Sequence, residues 1–208
     1  MSFLISFEGI DGCGKTTQID LLGDKLKSKK IDYSVLREPG DTSISNKIRE
    51  MLLNNDNSIC SESETLLFLA ARSQLVREKI IPSIKKGKIV ICDRYYDSTL
   101  AYQGYGRGLD KSIINNLNIF AINNIIPAIT FILDINAKVA YSRISGNNVD
   151  RMESEGISFL EKVSKGYKKI AKSNKERCKI IDCKNKNKFI IHDEIMNKVN
   201  NYIKKEIL

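Results

Sequence analysis

The sequence has 208 residues, which is long enough to bury a full hydrophobic core and favours one domain, residues 1–208, over two. Its 34 Lys and Arg residues outnumber its 25 Asp and Glu residues, which gives a formal charge of +9. Because the basic residues are spread along the chain rather than gathered in one motif, this charge favours small anionic substrates and argues against a nucleic-acid partner.

The cysteines indicate a reducing compartment. There are five of them, an odd number, and no two have C-x-x-C spacing. This pattern favours free thiols over a disulfide framework or a zinc site. The apolar run near the start of the chain is too short for a signal peptide or a membrane span. We therefore expect a cytoplasmic protein without a membrane partner.

The first motif is a phosphate-binding loop. An apolar run, residues 3–7, leads into the pattern G-x-x-x-x-G-K-T, and apolar residues at helical spacing follow. This order predicts a strand, a loop and a helix, and the loop glycines let backbone N–H groups approach a polyphosphate closely. Lys15 is placed to reach the β- and γ-phosphates, and Thr16 is placed to bind Mg²⁺ through its hydroxyl. The predicted ATP-binding loop consists of Gly9, Ile10, Asp11, Gly12, Cys13, Gly14, Lys15, Thr16 and Thr17.

Strands and helices are predicted to alternate along the rest of the chain. Ser61 with Glu64 resembles a capping box, and Asp110 and Asn136 are predicted helix caps. The alternation predicts an α/β fold with a five-stranded parallel sheet and helices on both faces. Further strands are predicted at residues 33–36, 89–92, 130–133 and 179–182, and further helices at 44–51, 61–84, 110–120, 136–143, 159–170 and 191–203.

Charged residues follow several of the predicted strands. Asp93 comes directly after an apolar strand, where kinases hold Mg²⁺ through a carboxylate, so Asp93 and Thr16 are predicted metal ligands. A polar stretch between two helices, residues 144–155, is a predicted lid. Arginines occur at strand ends, in one helix and in this stretch, and their planar guanidinium groups suit phosphate. They are Arg37, Arg72, Arg94, Arg143 and Arg151.

Five stretches of the sequence together resemble the thymidylate kinase family. They occur in the family's order and spacing between about residue 3 and residue 172, and they are far more specific than a phosphate-binding loop alone. The stretches are residues 7–12, 37–40, 67–74, 93–109 and 150–153.

The resemblance implies a P-loop nucleoside-monophosphate kinase that transfers the γ-phosphoryl group of ATP to dTMP in dTTP biosynthesis. It also implies Mg²⁺ as cofactor and, usually, a homodimer. By this resemblance Phe68 stacks on thymine, Arg72 reaches its O4 atom, and Thr99 lies near N3. The other implied positions are Tyr102 under the sugar, Gln103 in the base pocket, Arg37 and Arg94 at the acceptor phosphate, Ser98 in the dTMP site, and Asp11 and Glu8 helping to place metal and sugar.

The resemblance also suggests where the catalytic cation lies. Residues 10–13 contain no Arg or Lys, which resembles the bacterial subclass in which the lid supplies this cation. We assign the role to Arg151 and expect Arg143 nearer the ATP base. No general base is required, because a phosphate acceptor is already largely dianionic at neutral pH. The predicted catalytic residues are Lys15, Asp93, Arg94 and Arg151.

Two alternatives remain open at this point. Another P-loop kinase, acting on a deoxynucleoside or on a different nucleoside monophosphate, would share the loop and Asp93. A P-loop ATPase or DNA-binding module would use the charge of +9 to bind the phosphates of DNA. This alternative leaves residues 93–108 unexplained.

Overall fold

The computed structural model describes residues 2–145 and 149–207, so Gly146, Asn147 and Asn148 of the predicted lid lie outside the described residues. The five predicted strands form a parallel sheet with the order β2-β3-β1-β4-β5. The prediction of a five-stranded parallel sheet is therefore confirmed. The strands are β1 (Leu4–Glu8), β2 (Tyr33–Arg37), β3 (Ile89–Asp93), β4 (Ile129–Asp134) and β5 (Cys178–Asp182).

Both faces of the sheet are covered, as predicted. Alternate residues of a strand point to opposite faces, and Ile91 packs in one hydrophobic cluster while Val90 and Cys92 pack in another. The covering helices are α1 (Lys15–Ser28), α2 (Ser43–Leu53), α3 (Ser61–Leu75), α4 (Ile81–Lys85), α5 (Tyr96–Thr99), α6 (Lys111–Ile122), α7 (Ala137–Ile144), α8 (Gly156–Ser173) and α9 (Lys188–Ile207).

The strand register brings the predicted site residues to one edge of the sheet. Asp93, the last residue of β3, pairs with Phe7 on β1 and with Arg37 on β2. The phosphate-binding loop follows β1 directly, so it lies beside the residues that follow β2 and β3. This is the edge where open parallel sheets bind ligands.

Helix caps were predicted with mixed success. The Asp110 side chain accepts hydrogen bonds from two N–H groups of α6, and the Asn136 side chain accepts one from α7, so both caps are confirmed. The capping box was wrong: Cys60 is the N-cap of α3, and no side chain caps this helix. The Glu64 carboxylate instead lies in a buried cluster of charged groups.

Sequence periodicity missed one helical segment. Residues 96–106 form α5 and the π-helical turns Leu100–Gly106. This segment has polar and glycine positions without a clear apolar stripe, because one side of it lines a cavity rather than the hydrophobic core. Another π-helical segment, Val76–Ile80, joins α3 to α4, and a single turn of 3₁₀-helix, Glu153–Glu155, precedes α8.

Two further observations concern the cysteines and the helices. All five cysteines are free, as predicted, and four of them are buried. Among residues 2–145 and 149–207, no helix has the length and apolar character needed to cross a membrane.

Candidate active site

A cavity of about 440 Å³ opens at the carboxyl ends of the strands. Among the predicted site residues, Glu8 and Arg151 do not belong to its described lining, and Gly9, Ile10 and Cys13 lie in the loop behind it. The predicted residues that line the cavity are Asp11, Gly12, Gly14, Lys15, Thr16, Thr17, Arg37, Phe68, Arg72, Asp93, Arg94, Ser98, Thr99, Tyr102, Gln103 and Arg143.

Glycines shape the loop between β1 and α1. Gly12 has a φ angle of +75°, and a Cβ atom at this position would collide with the backbone oxygen of Ala140. The Lys15 ammonium donates hydrogen bonds to the backbone oxygens of Gly9 and Ile10, at 3.2 Å in each case. The lysine charge therefore lies on the inner side of the loop, where this motif wraps a polyphosphate.

Asp93 and Thr16 have the chemistry of a magnesium site. Both line the cavity, and the buried Asp93 Oδ1 atom has no hydrogen-bond partner among the described residues. A buried carboxylate oxygen without a partner is costly unless a cation or water satisfies it. The described chain contains no cluster of three or more His, Cys, Asp or Glu side chains that could hold a metal. Mg²⁺ commonly takes one or two protein ligands and completes its coordination with water and phosphate, and Asp93 and Thr16 could supply two such ligands.

Glu8 lies in a different environment from the one predicted. Its carboxylate is fully buried and accepts hydrogen bonds from the Tyr95 N–H group at 2.8 Å, the Ser98 hydroxyl at 2.6 Å and the Tyr167 hydroxyl at 3.0 Å. Burial raises the pKa of Glu8, and the negative charge of Asp97 adds to this effect. The geometry therefore does not support Glu8 as a metal ligand, because protein donors already occupy its oxygens.

Arg94 links the phosphate-binding loop to the helical segment 96–106. One of its nitrogens donates to the Gly9 backbone oxygen at 2.9 Å, and another pairs with the Asp11 carboxylate and donates to the Tyr102 hydroxyl at 3.1 Å. Burial alone would raise the pKa of Asp11, but the positive charges of Arg94 and Lys15 lower it to about 2. These contacts fix the guanidinium group at the wall of the cavity.

Arg72 is held even more tightly. Only 2% of the side chain is exposed, and its Nε donates to Glu38 at 2.6 Å. Its other nitrogens donate to the Thr99 hydroxyl at 2.7 Å, the Asn118 side-chain oxygen at 2.9 Å and the Tyr95 backbone oxygen at 3.1 Å. Thr99, predicted near the base, therefore also orients Arg72.

Arg49 is a cavity residue that was not predicted from the sequence. It lines the cavity and donates to the Pro39 backbone oxygen at 3.0 Å. Burial lowers the pKa of Arg49, and the nearby positive charges of Arg37 and Arg94 lower it further. A signal was present, because Arg49 lies on the same stripe of α2 as the buried Ser45 and Leu52. The other missed lining residues are Glu38, Pro39, Leu53, Asp150, Met152 and Glu153.

Arg143, in the last turn of α7, and Arg151, in the predicted lid, occupy different places. Arg143 lines the cavity and donates to the Gly12 backbone oxygen at 3.0 Å. Arg151 pairs with the Glu64 carboxylate at 2.7 Å and donates to the Leu52 backbone oxygen at 2.7 Å. This structure therefore places Arg143, rather than Arg151, beside the phosphate-binding loop.

The fold and this edge of the sheet together have the arrangement of P-loop nucleoside-monophosphate kinases. The strand that leads into the glycine loop lies between β3, which ends in Asp93, and β4. A family model described as thymidylate kinase matches residues 7–195, and the chain belongs to this family. It is therefore an enzyme, a kinase, as predicted from the sequence.

Individual relatives agree with this assignment. The thymidylate kinase of Caldanaerobacter subterraneus subsp. tengcongensis is 44% identical over 200 residues, which cover 96% of each chain. That of Thermosipho africanus is 50% identical over 168 residues, which cover 81% of this chain and 84% of the relative. The crystal structure of thymidylate kinase from Ehrlichia chaffeensis matches with a TM-score of 0.78 and 37% identity, covering 95% of this chain and 98% of the other.

The ion pair of Asp11 should make stability depend on acid pH. The pKa of Asp11 is lowered to about 2 in the folded state. The pair therefore stabilises the fold above the ordinary pKa of about 4, and this contribution is lost as the pH falls from about 4 towards 2. We expect wild type to exceed Asp11→Asn in free energy of unfolding by about 2 kcal/mol near pH 6 and by much less near pH 2.5.

Urea denaturation followed by circular dichroism measures this difference. Asp24→Asn, at an exposed position of α1, is the matched control and should follow wild type at both pH values. A difference between wild type and Asp11→Asn that stays constant across this pH range would contradict the role of the ion pair.

Proposed function

We propose that the cavity is the site where this thymidylate kinase transfers the γ-phosphoryl group of ATP to dTMP, giving dTDP and ADP for dTTP biosynthesis. The proposal rests on the observation that two different groups of residues line the cavity. One part is the glycine loop with Lys15, and another is an aromatic and polar wall that contains Phe68 and Gln103. Arg94 joins the two parts through its contacts with Gly9 and Tyr102.

On the donor side, the loop and the start of α1 would bind the ATP phosphates. The backbone N–H groups of the loop and the positive end of the α1 dipole both favour an anion. Lys15 already donates to carbonyl oxygens of the same loop, so it would exchange these partners for phosphate oxygens. Thr16 and Asp93 would hold Mg²⁺. Bound Mg²⁺ would neutralise part of the negative charge of the phosphates.

On the acceptor side, three arginines would bind the phosphate of dTMP. Arg37, Arg49 and Arg94 all line the cavity, and the pKa of Arg49 is lowered by burial and, in addition, by the charges of Arg37 and Arg94. Like charges so close together are relieved by an anion, and a phosphate dianion accepts from several guanidinium groups at once. No general base is needed for such an acceptor.

The wall around Arg72 would bind the thymine base. The Phe68 ring lines the cavity and can stack on the base, while Arg72 can only donate hydrogen bonds and therefore suits a carbonyl oxygen such as O4. Tyr102 donates to Asp11 at 2.7 Å and accepts from Arg94, which fixes its ring at the position proposed for the sugar.

The natural test is a coupled ADP-release assay over all nucleoside monophosphates. We expect dTMP to be preferred, with dUMP weaker by roughly 10- to 200-fold in kcat/KM because a single methyl group distinguishes the two. Phe68→Ala should raise the KM for dTMP and leave the KM for ATP nearly unchanged. Preference for another monophosphate would contradict the proposed base site.

We propose further that Arg143 is the cation beside the transferring phosphoryl group, and that residues 144–155 form the lid. Arg151 is engaged with Glu64 and the backbone of α2, and it would have to leave both to reach the phosphates. Arg143 already donates to the phosphate-binding loop.

Two alanine variants should therefore behave differently. Arg143→Ala should lower kcat by at least about a hundredfold, because a cation aimed at developing charge contributes strongly to the transition state. Arg151→Ala should keep kcat within about tenfold of wild type but lower the melting temperature, because it leaves the buried Glu64 without one partner. Steady-state kinetics and thermal unfolding measure the two effects. If Arg151→Ala instead lowers kcat strongly and Arg143→Ala does not, Arg151 is the catalytic cation.

The exposed apolar side chains of α3 and α6 support a homodimer. Leu66 is 56% exposed, Ile113 is 60% exposed and Phe120 is 76% exposed. Ile113 and Phe120 lie about two helical turns apart on one face of α6, and an exposed apolar face is typical of protein interfaces. We propose that a second copy of the chain covers this surface. The five free cysteines support a reducing, cytoplasmic location for the enzyme.

Phe120→Glu should convert the dimer into a monomer, because it places a charge in the apolar interface. Light scattering coupled to size-exclusion chromatography measures the mass directly. Phe189→Glu is the matched control, since Phe189 is 59% exposed but lies on α9. A monomeric wild type, or dissociation by the control variant, would contradict this interface.

A further inference from the structure

A buried carboxylate lies next to the proposed base site without belonging to the described lining of the cavity. The Glu64 side chain is 0% exposed. Its Oε2 atom accepts from Arg107 at 3.0 Å and from Arg151 at 2.7 Å, and its Oε1 atom accepts from the Gln103 side-chain amide at 2.8 Å. Arg107 is in turn paired with Glu155 at 2.5 Å.

These partners keep Glu64 ionised. Burial alone would raise its pKa, but hydrogen bonds from Arg107 and Gln103 together with the positive charge of Arg107 lower it below the ordinary value. An ionised carboxylate can only accept hydrogen bonds. Whatever faces Glu64 must therefore be a donor.

This constraint decides which way the Gln103 amide is turned. A glutamine has a donor nitrogen and an acceptor oxygen at the two sides of one amide group, and its neighbours determine which side faces which. Because the Gln103 nitrogen must face Glu64, the Gln103 oxygen is left to the side chain's other neighbour. Gln103 lines the cavity, so a base bound there would be that neighbour.

The same wall also offers a donor. Four of the five N–H groups of Arg72 are used by Glu38, Thr99, Asn118 and Tyr95, and a guanidinium has no acceptor atom. An acceptor from Gln103 and a donor from Arg72 match the N–H group and carbonyl oxygen of a pyrimidine-2,4-dione. Cytosine has a ring nitrogen acceptor and an amino donor at these places, so both contacts would be mismatched.

We propose that Glu64 is a positioning residue that sets base specificity by holding Gln103 with its carbonyl oxygen towards the N3–H group of the base. This inference rests on the base site proposed above. Arg107 and Arg151 contribute by holding Glu64, so one function of Arg151 is to support base recognition from outside the cavity.

Glu64→Gln tests the inference, because an amide at this position can accept or donate and no longer dictates the orientation of Gln103. We expect the ratio of kcat/KM for dTMP to that for dCMP to fall by at least about tenfold. The ratio for dTMP to dUMP should stay unchanged, since both bases present the same N–H and carbonyl groups. Glu62→Gln, at an exposed position of the same helix, should change neither ratio.

A double-mutant cycle separates this role from a structural one. In a Gln103→Leu background, Glu64→Gln should have no further effect on the dTMP to dCMP ratio, because the group through which it acts is gone. An unchanged ratio in the single Glu64→Gln variant, or effects of the two substitutions that multiply, would overturn the inference.

Two further results keep the outcomes distinct. If Glu64→Gln does not fold by circular dichroism, Glu64→Asp takes its place, since it retracts the carboxylate by one methylene and should lower the same ratio. If wild type does not prefer dTMP to dCMP, the base site itself is wrong; if wild type discriminates and the variants do so equally well, only the role of Glu64 is wrong.

Discussion

The arrangement of the site depends on the hydrogen bonds that the buried carboxylate of Glu8 accepts. It lies at the end of the central strand β1 and accepts hydrogen bonds from Tyr95, which follows β3, from Ser98 in α5, and from Tyr167 in α8. The phosphate-binding loop begins one residue later. Loss of this carboxylate would leave several buried donors unpaired at once, which is costly in a protein interior. One side chain therefore connects the strand that leads into the loop with the segment after β3 and with α8, and the contacts of Arg94 with Gly9 and Tyr167 reinforce this connection.

Features that depend on local sequence could be predicted well. The strands could be recognised because central strands of a parallel sheet, such as β3, are continuous apolar runs. The phosphate-binding loop could be recognised because its glycines and Lys15 follow directly from the geometry of wrapping a polyphosphate. The caps at Asp110 and Asn136 depend on N–H groups only two or three residues away. In each case the residues that determine the local structure lie close together in the sequence.

Features that depend on distant partners could not be predicted in the same way. Glu64 has the spacing of a capping residue, but Arg107 and Arg151 come from far along the chain and draw its carboxylate into their cluster. Arg151 itself lies in the stretch where a catalytic cation is expected, and only the fold reveals that this carboxylate is its partner. The segment 96–106 lacked an apolar stripe because its inner side faces a ligand site. Charged groups are matched to partners by tertiary structure, which periodicity does not describe.

Helix α3 contributes residues both to the cavity and to the exposed surface proposed for the second subunit. This double role limits how the enzyme can change over evolution. Phe68 and Arg72 line the cavity, whereas Leu66, close to Phe68 in the same helix, is exposed on the surface proposed for the second subunit. A shift of α3 that suits a new subunit contact would also move the residues at the base. Substitutions that shift α3 at the subunit surface are therefore constrained by selection on the base site. Designers who wish to alter nucleotide preference would do better to vary residues outside α3, whose backbone must satisfy both surfaces.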